Sequence, residues 1–94
     1  MAKVKARSAL QLRLYIAGNA PNSVRAVANC KAICDTHFPA AYDLEIVDSL
    51  VDPERAMSDG IIVTPTLLKL TLPTQRLIGN LSDTHQLLQS LARK

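Results

Sequence analysis

The chain has 94 residues, of which 48% are hydrophobic, 3% are aromatic and 20% are charged, and its net charge is +3. This length suits one domain with an aliphatic core, and the hydrophobic fraction excludes a disordered chain. There is no apolar run long enough to span a bilayer and no visible signal peptide. We therefore expect a cytoplasmic protein without a membrane partner.

Basic residues are concentrated at the start, where Lys3, Lys5 and Arg7 lie within residues 1–9. We interpret residues 1–9 as a flexible, solvated tail that precedes a single domain over residues 10–94. The alternative is a basic arm that contacts phosphates or an acidic partner. The other eight basic residues balance the eight acidic ones and form no dense Lys/Arg stripe, so we expect no nucleic-acid partner.

The first half of the domain is predicted to be a strand, a helix and a second strand. Residues 10–16 alternate between apolar and other side chains, which is the period of a strand, and residues 17–20 break it. A helix then follows, because Asn22 or Ser23 can cap its start and apolar residues recur at helical spacing as far as Phe38. Pro39 closes the helix, and residues 42–47 alternate again as a second strand.

The second half is predicted to be a short helix, a hairpin and a final helix. Asp52, Pro53 and Glu54 are typical of a helix start, and Gly60 ends a helix of about residues 53–57. Residues 67–72 and 76–79 have strand patterns on either side of a tight turn at residues 73–75. Ser82 and Asp83 then cap a leucine-rich helix. The order βαβαββα, which starts with a right-handed βαβ unit, is that of the thioredoxin-like α/β architecture.

The positions of the cysteines indicate whether the chain can carry out the thiol chemistry of thioredoxin enzymes. Thioredoxin enzymes carry the attacking cysteine at the amino end of the first helix, where the helix dipole lowers the thiol pKa. Residues 18–23 contain no cysteine, and Cys30 and Cys34 lie two or three turns further along. We interpret both as buried structural thiols, while a single redox-sensing thiol stays open as an alternative. Thr64-Pro65 resembles the cis-proline position of the same architecture, so we expect a cis bond there.

Other polar residues do not combine into a recognisable site. His37 and His85 lie near helix ends without a neighbouring ligand set, and the serines are better explained as helix caps than as nucleophiles. Four acidic residues surround the short helix without the spacing of a calcium loop, so we interpret them as a solvated face: Asp48, Asp52, Glu54 and Asp59. The sequence therefore predicts no enzyme, no metal site and no cofactor.

Four blocks of the sequence resemble the KaiB family, in that family's order. They are residues 14–26, 46–54, 64–67 and 76–82, and together they place the resemblance over roughly residues 10–92. The resemblance implies a non-catalytic clock or signalling adaptor that binds a KaiC-like hexameric ATPase and modulates its phosphorylation cycle. It also implies KaiA and a SasA-like histidine kinase as further partners, since the sensor domain of SasA is similar in kind.

Fold switching is a further implication of the resemblance. Family members exist as a tetramer with the ground-state order βαββααβ and as a thioredoxin-like monomer that binds KaiC. This chain departs from the clock-type pattern because only Pro73 remains of a proline run, Asn80 replaces an aspartate, and an acidic tail is missing. Pro65, Pro73, Gly79 and Asn80 are the candidate fold-switch residues. We hypothesise that the chain rests mainly in the thioredoxin-like state.

Partner-binding residues are carried over by position. Asn19 and Arg25 at the first helix match the family's partner surface, and Lys69 and Arg76 on the hairpin are further charged candidates. The alternative for each is a plain solvated side chain. Two rival functions stay open beside the adaptor: a thioredoxin-fold redox or stress-response protein, and a detached kinase input domain. A non-clock member of the KaiB family is a further possibility.

Overall fold

Four strands and three helices follow in the order βαβαββα within residues 10–92, the part of the chain that this computed structural model describes. The elements are β1 Leu10–Ile16, α1 Pro21–His37, β2 Tyr42–Asp48, α2 Pro53–Ser58, β3 Thr66–Lys69, β4 Gln75–Ile78 and α3 Thr84–Ala92. This order confirms the thioredoxin-like prediction and differs from the alternative order βαββααβ. The predicted tail at residues 1–9 lies outside the described residues.

Strand β1 occupies an inner position in the sheet, whose order is β2-β1-β3-β4. It pairs in parallel with β2 and antiparallel with β3, so that Leu14 lies between Ile46 and Leu67. Strand β4 extends the sheet antiparallel to β3. The parallel pair follows from the α1 crossover, because parallel neighbours need a long connection between them.

Hydrophobic residues are buried on both faces of the sheet, because successive side chains of a strand point to opposite sides. The larger cluster joins the sheet to α1 and α3 and contains Leu10, Leu12, Leu14, Ala26, Cys30, Cys34, Leu67, Leu81, Leu87 and Leu91. The smaller cluster joins the other face to α2 and contains Tyr15, Val47, Ala56 and Leu68. The core is thus almost entirely aliphatic, as the composition predicts.

The start of α1 differs from the prediction. The helix begins at Pro21 with Ala20 at the cap position, and no side chain caps it, so the prediction that Asn22 or Ser23 caps the helix is wrong. The Ser23 hydroxyl instead accepts a hydrogen bond of 3.0 Å from the backbone N–H of Ala17 in the preceding loop. Proline at the first helical position sets this start, because its fixed φ already suits a helix.

The two later helices begin where the sequence predicts. Asp52 occupies the cap position of α2 although its side chain makes no capping hydrogen bond, and the helix ends one residue later than predicted. Gly60, with a φ of +68°, follows that end. At α3 the Asp83 carboxylate accepts a 3.0 Å hydrogen bond from the Gln86 N–H, which confirms the predicted cap.

The hairpin is present, but its first strand is shorter than predicted. Strand β3 ends at Lys69 instead of residue 72, and residues 70–74 connect it to β4. The connection folds back because the Lys69 amine donates a 3.0 Å hydrogen bond to the carbonyl of Pro73, four residues further along. The bond between Thr64 and Pro65 is cis, as expected, and so is the bond before Pro73.

Candidate functional site

The loop between β1 and α1 is held rigidly against the end of β2. The Asp48 carboxylate accepts hydrogen bonds from the backbone N–H groups of Gly18 at 3.1 Å and Leu50 at 2.9 Å. The Ser49 N–H and hydroxyl both bond to the carbonyl of Ile16 at 2.8 Å. Gly18 has a φ of +54°, and a Cβ there would lie 3.3 Å from the Leu50 side chain, so glycine suits both the conformation and the space.

This loop, the first turns of α1 and the residues that follow β2 lie at the same end of the parallel β1–β2 pair. We call their exposed side chains the α1 amino-end surface and define it as Asn19, Val24, Arg25, Leu50 and Val51. Val24 is 54% exposed and Leu50 is 71% exposed, and Asn19 and Arg25 are also exposed. Within residues 10–92, the Arg25 guanidinium has no ion pair or hydrogen bond. The surface therefore offers a free positive charge among apolar side chains.

Nucleophiles are missing from this surface among the described residues. Ser23 is buried, and its hydroxyl is occupied with the Ala17 N–H. Cys30 and Cys34 are free thiols that are wholly buried on α1, which confirms the prediction that they are buried. The hydrogen bond with the Cys30 thiol, together with burial, raises the pKa of Cys34. A raised pKa disfavours the thiolate, which is the reactive form of cysteine.

The two charged candidates on the hairpin lie in different surroundings from Asn19 and Arg25. Lys69 is only 3% exposed, and its amine bonds to the Pro73 carbonyl. Arg76 is exposed but donates hydrogen bonds to the backbone carbonyls of Asp59 at 2.9 Å and Gly60 at 3.2 Å. Asn19 and Arg25 thus share a surface, whereas Lys69 and Arg76 support loops around the hairpin. The contribution of all four to partner binding stays a prediction.

The candidate fold-switch residues connect the hairpin to the rest of the domain. Gly79 has a φ of +110°, and its N–H donates a 3.0 Å hydrogen bond to the Pro65 carbonyl. The carbonyl of Asn80 accepts a 2.9 Å bond from the Asn29 side chain on α1, and the Asn80 side chain accepts one of 3.0 Å from the Ser82 N–H. Their part in switching stays a prediction.

A group of ion pairs on the α2 face of the sheet was not predicted. We call it the α2 network and define it as Arg13, Tyr15, Glu45, Arg55 and Asp59. Arg55 contacts both Glu45 oxygens, at 2.7 and 3.0 Å, and Arg13 bonds to Glu45 at 2.9 Å and to Asp59 at 3.0 Å. The Tyr15 hydroxyl donates to the Asp59 carboxylate at 2.6 Å and lies 3.1 Å from the Arg55 carbonyl.

Charge pairing shifts the ionisation of the two carboxylates in the α2 network. The hydrogen bonds from Arg55 and then Arg13 lower the pKa of Glu45 to about 2. The Tyr15 hydroxyl and the Arg13 guanidinium likewise lower the pKa of Asp59. The interpretation of the acidic stretch as a solvated face is therefore wrong for Asp59, and also for Asp48, which holds the β1–α1 loop. The sequence signal for the network was the alternation that places Arg13 and Tyr15 on one face of β1.

Residues 10–92 contain no group of three or more His, Cys, Asp or Glu side chains arranged to hold a metal ion. Among the helices in the same range, none is long and apolar enough to cross a bilayer.

The fold and the site define a thioredoxin-like domain in which the usual place of the attacking thiol carries an exposed surface without a thiol. Solved structures agree on the fold. The amino-terminal domain of Synechococcus elongatus SasA aligns with a TM-score of 0.73 at 24% identity, over 100% of this chain and 93% of that one. The thioredoxin Deadhead of Drosophila melanogaster aligns with a TM-score of 0.66 at 14% identity, over 95% and 98%.

Sequence comparison then gives the family. The KaiB domain model matches residues 13–93. The circadian clock oscillator protein KaiB of Synechococcus elongatus is 48% identical over 81 residues, which are 85% of this chain and 79% of that protein. The protein of the same name from Nostoc punctiforme is 44% identical over 89 residues, or 94% and 86%. The chain belongs to the KaiB family.

Proposed function

We propose that this chain is a non-catalytic clock protein that binds a KaiC-like hexameric ATPase and modulates its phosphorylation cycle. Membership of the KaiB family supports the proposal, since the relatives are named as circadian clock oscillator proteins. The observation that carries it is the α1 amino-end surface. It presents an arginine that is unpaired among the described residues, together with exposed apolar side chains, at the place where a thioredoxin enzyme carries its attacking cysteine. Buried thiols elsewhere in α1 support a binding role over a redox role.

Arg25 is the proposed centre of the contact. An arginine that is free in the isolated protein can pair with a partner carboxylate without first breaking an internal ion pair, and arginine is common among residues that dominate binding. Val24 and Leu50, which are exposed apolar side chains of the same surface, provide area that a partner can bury. Asn19 adds an amide that can donate and accept hydrogen bonds. We place Arg76 and Lys69 in a supporting role, because each holds a neighbouring loop.

The proposed resting state is the thioredoxin-like monomer, with the tetrameric βαββααβ fold as the alternative. The local sequence patterns predict a hairpin and a final helix in residues 66–92, and the three-dimensional structure has the same elements there. When local preferences agree with the overall fold, they stabilise it over its competitors, which here favours the thioredoxin-like state. Pro65, Pro73, Gly79 and Asn80 lie in the half that would refold. Backbone NMR at a concentration where the oligomer is also sized tests this. Helices followed by a terminal strand in a tetramer would refute it.

Binding is tested by titrating the full chain against a KaiC-type hexamer, with KaiA and a SasA-type kinase as competitors. We expect Arg25→Ala to weaken binding by about tenfold or more, since loss of a dominant interface residue costs upwards of about 1.4 kcal/mol. Lys31→Ala is the matched control, because Lys31 is an exposed cation on the same helix outside the surface. The proposal fails if the hexamer is not bound, or if both variants bind equally well.

A kinase input domain is the second candidate, favoured by the alignment with the SasA domain. A pull-down against the ATPase and the kinase separately distinguishes the two, because an input domain binds the kinase and leaves the ATPase free. If the chain is instead a thioredoxin-type redox protein, it should reduce the disulfide bonds of insulin. We expect no such reduction, and we expect Cys30 and Cys34 to react with a thiol reagent only after unfolding, since both are wholly buried.

A further inference from the structure

Helix α2 has little apolar anchorage to the sheet. It contains six residues, of which only Ala56 is buried, and Met57 on its outer side is exposed. A helix this short is not stable alone, and the burial of one alanine side chain supplies little hydrophobic stabilisation. Some other set of contacts must therefore hold α2 in place.

Polar contacts supply that anchorage, and all of them cross from the α2 segment to the sheet. Arg55 grips both oxygens of Glu45 on β2, and Asp59 receives hydrogen bonds from Tyr15 and Arg13 on β1. From β4, Arg76 reaches the carbonyls that follow the helix. The ion-paired side chains are between 26% and 46% exposed, so salt in the solvent can screen them.

Exposed chain lies on both sides of this segment. Leu50 and Val51 precede it, and Ile62, which is 93% exposed, and Val63 follow it. Inside these limits the backbone is bonded to itself, since the N–H of Ile61 bonds to the Ala56 carbonyl at 2.9 Å and closes the end of the helix. Residues 52–61 thus carry their own backbone hydrogen bonds. Besides the polar contacts above, the Asp52 N–H joins them to the Asp48 carbonyl at 2.9 Å, and Ile61 is partly buried against the smaller cluster.

We propose that residues 52–61 form a flap that opens and closes as a unit over the α2 face of the sheet, with the α2 network as its latch. Opening uncovers Tyr15, Val47 and Leu68, the sheet residues of the smaller cluster. The larger cluster contains no residue of the flap and stays intact. The motion is therefore a partial opening that costs less free energy than global unfolding. It does not depend on the proposed clock role.

Native-state amide exchange on the full chain tests the flap. Its reporters are the N–H groups of Asp59, Gly60 and Ile61, which are bonded inside the flap at 3.1, 3.0 and 2.9 Å. These bonds are lost when the flap opens, because a helix of six residues does not persist once it has left the sheet. The amides of β1 are the reference for global unfolding. In the native chain we expect the flap amides to exchange much faster than those of β1, and added salt to widen that difference.

Glu45→Gln is the decisive variant, because it removes the carboxylate that both Arg13 and Arg55 grip while keeping the size of the side chain. We expect it to speed exchange of the flap amides by about two- to fivefold, the scale of one partly exposed ion pair, because only Arg55 of the two arginines belongs to the flap. Exchange of β1, which loses the Arg13–Glu45 pair to β2, should be accelerated less. Glu54→Gln is the control, since Glu54 also neighbours Arg55 in sequence but has no ion pair within residues 10–92.

Three results would overturn the flap. Equal exchange of flap and β1 amides in the native chain means that only global unfolding exposes them. If Glu45→Gln speeds amide exchange equally in the flap and in β1, the network stabilises the whole domain and does not hold the flap specifically. Matching effects of Glu45→Gln and Glu54→Gln mean that net charge, and not the ion pairs, is responsible. Arg55→Gln, which leaves the β-strands unaltered, replaces Glu45→Gln if that variant does not fold.

Discussion

Tyr15 and Tyr42 allow the same hydrogen bond to be compared inside and outside the core. Each phenol donates to an aspartate carboxylate at 2.6 Å, Tyr15 to Asp59 and Tyr42 to Asp35. Tyr15 is wholly buried, whereas the Tyr42 bond lies at the surface. Replacement by phenylalanine removes one hydroxyl in either case. In the first case Asp59 and the Arg55 carbonyl each lose one donor, and they keep those of the Arg13 guanidinium and the Asp59 N–H. In the second case a solvated Asp35 is left.

The expected costs differ because water can replace only the outer bond. A hydrogen bond to a charged group contributes about 1.5–3 kcal/mol. Because the Asp59 side chain is 28% exposed and keeps its bond from Arg13, we expect Tyr15→Phe to destabilise the domain by about 2 kcal/mol, in the lower half of that range. At Tyr42 a water molecule takes the place of the hydroxyl, and we expect about 0.5 kcal/mol or less. Tyr42→Phe is thus the control for the loss of a phenol as such.

Urea denaturation followed by far-ultraviolet circular dichroism measures both changes. With a slope of about 1 kcal/mol per molar urea for a small domain, Tyr15→Phe lowers the midpoint by about 2 M and Tyr42→Phe by at most about 0.5 M. The slopes must stay equal for the comparison to hold. The reasoning is refuted if Tyr42→Phe costs as much as Tyr15→Phe, or if neither changes the midpoint.

Two pH profiles follow from the same bonds. Arg55 and Arg13 hold the pKa of Glu45 at about 2, below the ordinary value of 4.5, so the stability that Glu45 contributes is complete above pH 4.5 and is lost as the pH falls towards 2. Acid titration of unfolding should therefore be shallower for Glu45→Gln than for Glu54→Gln, and identical curves would contradict this. The hydrogen bond to Asp35 raises the pKa of Tyr42 to about 12, and burial raises the pKa of Tyr15. Ultraviolet titration should show Tyr42 protonated at pH 10, with the stability that it contributes lost as the pH rises through about 12, and Tyr15 ionising above its ordinary range. A tyrosine that ionises at its ordinary pKa of 10.0 would refute the prediction for that residue.

Local signals were sufficient to predict the order of the elements. The alternation over residues 10–16 gives the bounds of β1, because Leu10, Leu12 and Leu14 are buried on one face while the two residues between them are only partly buried. Pro53 and Gly60 mark the ends of α2, and Asp83 marks the start of α3, through conformations and caps that depend on a few neighbouring residues. The absence of cysteine from the loop before α1 is likewise a local fact.

Other features depend on residues that are distant in the sequence. The prediction for Ser23 failed because its hydroxyl is taken by a loop N–H whose position is set by Asp48, across the sheet. A hydropathy pattern predicts that Lys69 lies at the surface. Its amine can be buried because the chain folds back after β3 and brings the Pro73 carbonyl within hydrogen-bond distance. The α2 network needs the register that brings Arg13 beside Glu45, and no pattern in one strand specifies the register with another.

The inner position of β1 has a consequence for synthesis. Strands β1 and β2 can pair as soon as Asp48 has emerged, but the second neighbour of β1 is β3, and the hairpin that supports β3 is complete only at Ile78, 30 residues later. At about 5–20 residues per second, translation leaves an interval of roughly 1.5–6 s. During that interval Leu12 and Leu14 belong to a strand with one unpaired edge. The nascent chain is therefore most open to strand pairing with a neighbouring chain just before its hairpin is made.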